Sequence, residues 1–177
     1  IGEGFVRVLL ESGAAKVYAG SRERAAAAHL EQAFPGRCVA IELDVTDQAE
    51  VDAAARQCPD VSLLVNNAGL FLNQLLIGAP DMSAARAEMD VNYFGTLAMC
   101  RAFAPVLARN GGGAIVNVLS AAALFPVPNM GGYGPAKAAC RRVNTRLSSA
   151  VCSFHAFTPS LRAGKRVSCG TIPIAFC

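Results

Sequence analysis

Tyr133 and Lys137 stand four residues apart, thirteen residues after Ser120, with the run Asn66-Asn67-Ala68-Gly69 well upstream. A phenol, an ammonium and a hydroxyl brought together can move a proton to or from a carbonyl oxygen while a hydride moves at carbon. On a helix, residues i and i+4 share one face, so Tyr133 and Lys137 are presented together. A free phenol ionises near pH ~10 and is a poor proton shuttle at neutral pH. A neighbouring ammonium favours the phenolate, which makes the pair a tuned acid/base. Ser120 follows an apolar run, where its hydroxyl can hold a carbonyl oxygen in place. Each feature also has a plainer reading. A Y-x-x-x-K pair can be a solvated helix face, Ser120 can bond nearby backbone at a strand end, and an Asn/Gly run can be an ordinary turn.

The surrounding elements must position these groups. Phe5, Val8, Leu9 and Ser12 recur at helical spacing and predict an amphipathic helix over 4–12, ended by Gly13. Lys16 to Gly20 reads as a strand, Arg22 to Phe34 as an Ala-rich helix stopped by Pro35-Gly36, and Cys38 to Leu43 as the next strand. Thr46 can cap a helix over Ala49 to Gln57. The continuous apolar run Val61 to Val65 suits a strand covered on both faces. Ser83 to Arg109 reads as one long helical segment, broken by Gly111-Gly112-Gly113. Ala114 to Leu119 is another buried strand, and a helix is expected to begin near Tyr133 to Pro135.

Strand and helix alternate with short connections, which calls for a parallel sheet with right-handed crossovers: a doubly wound α/β fold. In such sheets the ligand sits at the carboxyl ends of the strands. Arg22, Asp44, the run Asn66 to Gly69, and Ser120 each fall at such an end. Asp44 offers an acceptor for an adenine amine, or a cap. In a dinucleotide site the position of Ser21-Arg22 faces the adenosine ribose. An acid there suits a free 2′-hydroxyl, whereas Arg suits a 2′-phosphate, so NADP is favoured over NAD. The alternative is a surface Arg22 paired with Glu23 or Glu31.

Together these residues resemble the classical short-chain dehydrogenase/reductase family. The resemblance runs from Gly2 to about Ala139 and rests on N-N-A-G at 66–69, D-V-N at 90–92, Ser120, and Y-G-P-A-K at 133–137. It implies a Rossmann fold and a hydride exchange between carbonyl and alcohol. It assigns Tyr133 as acid/base, Lys137 as the group that lowers its pKa and binds the nicotinamide ribose, and Ser120 as the group orienting the carbonyl. Asn92 would hold a proton-relay water within its helix. Asn67, Ala68, Gly69, Asp44, Val45 and Arg22 would line the cofactor, with Gly2 as the last glycine of a pyrophosphate loop. Y-G-P-A-K replaces the commoner Y-S-A-S-K and keeps both reactive groups. The family also implies a homodimer or homotetramer joined through the helices at 83–109 and from 133 onward. A sugar-nucleotide epimerase shares the wider fold, but N-N-A-G and the compact size favour the classical branch.

Two departures stand out. The strand that precedes Ile1 in the family is absent, leaving an expected mid-sheet gap of roughly 10 Å between 16–20 and 61–65, about two strand spacings. From about Cys140 no family strand is recognisable. The expected organisation is therefore a partial domain over 1–139 and an atypical tail over 140–177. A shifted reading frame or wrong exon boundary would explain the tail; translating the source DNA in its other frames decides this. The alternative is that Thr171 to Phe176 forms a substitute strand. The start at Ile1 also suggests a truncated or partly read protein.

The bulk numbers exclude several classes. With 177 residues, 53% hydrophobic and 16% charged, the chain is long enough for one buried core. No apolar run approaches the roughly 18 residues of a membrane span. The net charge of +3 arises in residues 138–177, which hold six Lys or Arg and no acid. Scattered and without interleaved aromatics, they do not make a nucleic-acid surface. The seven cysteines form no C-x-x-C pair and no metal cluster, which points to a reducing cytoplasm and no metal. There is no G-x-S-x-G elbow and no acid–His partner, so a serine hydrolase is excluded. The expected function is an NADP-dependent oxidoreductase acting on a small carbonyl or alcohol, with residues 121–130 as an apolar wall. Its rival is a fragment that keeps the motifs without turnover.

Overall fold

The computed structural model describes residues 1–143, 151–157 and 173–176. Helix α1 (Gly2–Glu11) leads into β1 (Lys16–Ser21), a 3-10 turn (Arg24–Ala27), α2 (Ala28–Ala33) and β2 (Cys38–Glu42). Then follow α3 (Gln48–Gln57), β3 (Leu63–Asn66), α4 (Ser83–Met89), a π-helical turn (Asp90–Gly95) and α5 (Thr96–Arg109). β4 (Gly113–Leu119), a 3-10 turn (Ala121–Ala123), α6 (Tyr133–Val143), β5 (Val151–Phe157) and β6 (Pro173–Phe176) complete the described chain.

The six strands form one parallel sheet in the order β2-β1-β6-β3-β4-β5. The doubly wound α/β architecture is the one the alternation implies. The mid-sheet gap is filled. Pro173–Phe176 lies between β1 and β3 and pairs with both, so the substitute strand is the arrangement realised. Proline at the first strand position costs the ladder least. β5, unrecognisable in the sequence, extends the sheet beside β4 over seven residue pairs. Residue 140 is not a structural break, because α6 runs through it to Val143.

Successive strand residues face opposite sides of the sheet. Tyr18 and Leu64 join one core with Val51 of α3 and Phe103 and Leu107 of α5. Val17, Ala19 and Val65 join the other, with Val6 and Leu10 of α1 and Leu30 of α2. The buried face of α1 is centred on Val6 and Leu10, with the expected Phe5 and Leu9 packed beside them, whereas Val8 and Ser12 of the expected stripe are exposed. Two other expectations shift locally. Asp47, rather than Thr46, caps α3, accepting the N–H groups of Ala49 and Glu50. The predicted long helix is continuous in path but carries the π turn at its centre.

At the N-terminal ends of the strands, away from the motif residues, Asp60 ties the segment that leads into β3 to β1. Its carboxylate accepts from Tyr18 Oη at 2.7 Å and from Lys16 Nζ at 2.9 Å. Burial alone would raise the Asp60 pKa, but the bonds from Tyr18 and Lys16 outweigh it and hold the carboxyl below its ordinary value. A depressed folded-state pKa gives stability that is present above the unfolded value and lost as pH falls through the folded one. Asp60→Asn should therefore lower the unfolding midpoint at pH 7 by about 2–4 °C, the shift that ~1 kcal/mol gives in a chain of this size. The deficit should shrink below about pH 4, where the wild-type carboxylate protonates. Thermal scans of both proteins across pH check this.

Candidate active site

The carboxyl ends of β1, β2 and β3 open onto a cavity of about 1140 Å³. Arg22 borders it after β1, Asp44 and Val45 after β2, and Asn67, Ala68 and Gly69 after β3. Its far wall is the π turn and α5, with Val91, Phe94, Ala98 and Arg101. Gly2 does not border this cavity; it opens α1.

Local bonds fix these strand ends. Asp44 Oδ1 accepts from the Thr46 N–H at 2.8 Å and its hydroxyl at 2.6 Å. Those bonds, with Arg22 nearby, hold the Asp44 carboxyl below its ordinary pKa. Asp44 thus keeps its charge and has one oxygen outside the turn. Arg22 is exposed and makes no ion pair among the described residues; it is Arg24 that pairs with Glu31, at 3.2 Å. Val45 packs against Gly95 so closely that a Cβ there would lie 2.6 Å from Val45 Cγ2, so the π turn can pass this wall only as glycine. Asn66, buried at the end of β3, donates to Asn117 Oδ1 within β4 at 2.7 Å and locks the two strands side by side.

The remaining motif residues gather beyond Gly69. Lys137 is 4% exposed and donates to the Val118 carbonyl at 3.1 Å. Its Nζ lies 5.7 Å from the Tyr133 ring centre. A Cβ placed on Gly69 would meet Asn92 Oδ1 at 3.1 Å and Lys137 Nζ at 3.6 Å. Gly69 is therefore where the cavity lined by Asn67 and Ala68 reaches Asn92 and Lys137. Asn92 is fully buried; its amide donates to the carbonyls of Leu70 and Glu88, both at 2.8 Å, and its Oδ1 accepts the Leu70 N–H at 3.3 Å. Ser120 Oγ accepts the Ala122 N–H at 3.2 Å, the plainer bond expected of a strand-end serine. As acceptor there, it retains its own O–H to donate. The 3-10 turn after Ser120 packs against α6, which carries Tyr133.

Sequence reasoning missed Phe71, whose ring meets Tyr133 edge-on at 5.4 Å. It also missed Glu88, a carboxylate only 2% exposed. The signal for Glu88 was available: Ala84, Glu88 and Asn92 repeat at every fourth residue and are all buried. Among the described residues no cluster of His, Cys, Asp or Glu is placed to hold a metal, and no helix is long and apolar enough to cross a membrane.

The profile of the short chain dehydrogenase family matches residues 1–153. The chain belongs to that family. It is similar to 11-beta-hydroxysteroid dehydrogenase A of Sesamum indicum, 33% identical over 78% of this chain and 42% of that protein. It is also similar to sorbitol dehydrogenase of Cereibacter sphaeroides, 36% identical over 78% of this chain and 56% of that protein. The chain thus spans about half the length of these relatives. Among solved structures, a short chain dehydrogenase from Burkholderia cenocepacia J2315 in complex with NADP superimposes with a TM-score of 0.80 at 45% identity. The match covers 87% of this chain and 65% of that one. One from Burkholderia phymatum in complex with NAD gives 0.75 at 27% identity, over 85% and 60%.

Burying the Lys137 ammonium is costly, and burial pushes its pKa below the ordinary lysine value; Cys140 opposes this weakly. A folded-state pKa below the unfolded one means the buried charge destabilises at neutral pH, and the penalty fades as pH rises toward about 10. Lys137→Met should therefore raise the unfolding midpoint at pH 7, by a few degrees, and the gain should narrow as pH rises toward about 10. Paired thermal scans at pH 7 and 10 check both sign and slope.

Proposed function

We propose that this site reduces a carbonyl, or oxidises the corresponding alcohol, with NADP as hydride carrier. The observation that carries the reading is the junction at Gly69. There a large cavity at the strand ends meets a buried ammonium one helical turn from a phenol. The residues fit a dinucleotide. Arg22, without an ion pair among the described residues, suits a 2′-phosphate at one end, and no acid at Ser21 competes for a ribose hydroxyl. Asp44 and Val45 would hold the adenine, Asn67, Ala68 and Gly69 the following ribose and backbone, and Lys137 the nicotinamide ribose. Gly2 lies outside the cavity and is left without a role in this scheme. When bound, NADPH supplies the hydride.

The chain's own residues handle the proton. Ser120 donates its hydroxyl to the substrate oxygen and fixes its direction. Tyr133 gives its phenolic proton to that oxygen as the carbon is reduced, and takes it back in the reverse direction. Lys137 stabilises the phenolate left behind. Asn92 orders the water through which Tyr133 is reprotonated. The exposed side chains of Leu124, Phe125 and Val127 support an apolar carbonyl compound as substrate. A homodimer or homotetramer would form through 83–109 and the helix from 133 onward, with exposed Met82 at the edge of the first. The free, buried thiols of Cys38, Cys58, Cys100 and Cys140 suit the cytoplasm.

The rival reading is cofactor binding without turnover. Two variants separate the readings. Tyr133→Phe should keep NADPH affinity and lose about 10²–10⁴-fold in carbonyl reduction. Arg22→Ser should weaken NADPH at least ~10-fold and leave NADH unchanged. Steady-state reduction and fluorescence titration of the two cofactors measure these effects. Equal turnover in parent and Tyr133→Phe would refute the acid/base role, and binding with no turnover in the parent would establish the rival.

A further inference from the structure

Glu88 is the buried carboxylate that the scheme above does not use. It is 2% exposed on α4, one turn before Asn92. A carboxyl group taken from water into a packed interior needs hydrogen-bond partners there. Those contacts run in two directions. Oε1 accepts the Leu72 N–H at 2.7 Å. Oε2 faces Gly132, where an added Cβ would lie 2.4 Å from it and 2.7 Å from Ala85 Cα. Gly132 immediately precedes α6, so the carboxylate sits near the N-terminal end of that helix, the end that favours negative charge.

Asn92 grips the same loop one turn further on, bonding both the N–H and the carbonyl of Leu70. Leu70 and Leu72 are thus both pinned to one face of the helical segment. Phe71 lies between them and meets the Tyr133 ring at 5.4 Å, inclined by 61°. The loop is tied to the α6 approach as well, through Gly131 N–H to Gln74 O at 3.0 Å.

We propose that Glu88 is a positioning residue: it clamps Leu72 on one side, seats Gly132 on the other, and so holds Phe71 against Tyr133. The clamp fixes the direction of the phenol through its ring, without touching substrate. Its significance for turnover rests on the acid/base role proposed for Tyr133; the clamp itself does not.

The test uses the 177-residue chain and two readouts independent of activity. Hydrogen exchange reports the Leu72 amide, and a nuclear Overhauser contact between selectively labelled rings reports Phe71 against Tyr133. In Glu88→Ala, Leu72 exchange should accelerate at least ~10-fold and the ring contact should vanish. Glu88→Gln, which keeps an acceptor at the same reach, should restore both. Leu72→Pro deletes the donor on the exposed loop while leaving Glu88 in place, so it covers the case in which Glu88→Ala fails to fold; it too should lose the ring contact. In a turnover assay with acetophenone and NADPH, kcat should fall about tenfold in Glu88→Ala with KM for NADPH unchanged. Unchanged Leu72 exchange in Glu88→Ala, or a ring contact that persists in Leu72→Pro, would overturn the clamp. A parent with no turnover but a responsive loop would overturn the acid/base reading alone.

Discussion

A parallel sheet cannot leave a strand edge unpaired at its centre, and here four residues meet that demand. Pro173–Phe176 pairs with Lys16 through Ala19 on one side and with Leu63 through Val65 on the other. Each buried backbone group left without a partner costs about 1–3 kcal/mol, so an empty slot beside Val17 and Leu64 would not survive in a packed core. The pairing has a consequence beyond stability. Arg22 follows β1 and Asn67 follows β3, so the strand between them sets how far apart the two ends of the cavity stand. The site therefore depends on a segment that contributes none of its motif residues.

The second half of the site is built by close approach rather than by strand pairing. The π turn at Asp90–Gly95 carries Asn92 inward and passes Val45 where only glycine fits. Gly69 then lets Asn92 and Lys137 reach the end of β3. Lys137 is held at the cost of desolvating its ammonium, and Glu88 at the cost of burying a carboxylate. Neither would be selected by packing alone. Residues placed against stability in this way are a pattern expected of sites rather than of packed cores.

Much of this was legible in the sequence because it is periodic or punctuated. Apolar strands alternate with helices, so the sheet, its parallel sense and the strand-end positions of Asp44, Asn67 and Ser120 could be read directly. What failed was decided by packing. The buried face of α1 is centred on Val6 and Leu10 because the sheet lies on that side, and periodicity in a short, largely apolar helix cannot choose between neighbouring stripes. Asp47 is the cap because α3 begins at Gln48, immediately after it, while the Thr46 hydroxyl is engaged by Asp44. The π turn leaves no periodic mark, since inserting one residue into a turn preserves the helix path. β5 was obscured by composition, because Val151–Phe157 adjoins segments rich in Arg, Ser and Cys that carry no family pattern, whereas β6 lies within the run Thr171 to Phe176 that the sequence offered as a substitute strand.

The central claim is that these strands form one sheet whose ends hold an NADP site. The most direct test is thermal unfolding of the 177-residue chain alone, with NADPH and with NADH. The account predicts one cooperative transition, raised by about 5–10 °C at NADPH a hundredfold above its Kd and less by NADH at the same concentration. A broad, non-cooperative transition, or one that ignores both nucleotides, would contradict it.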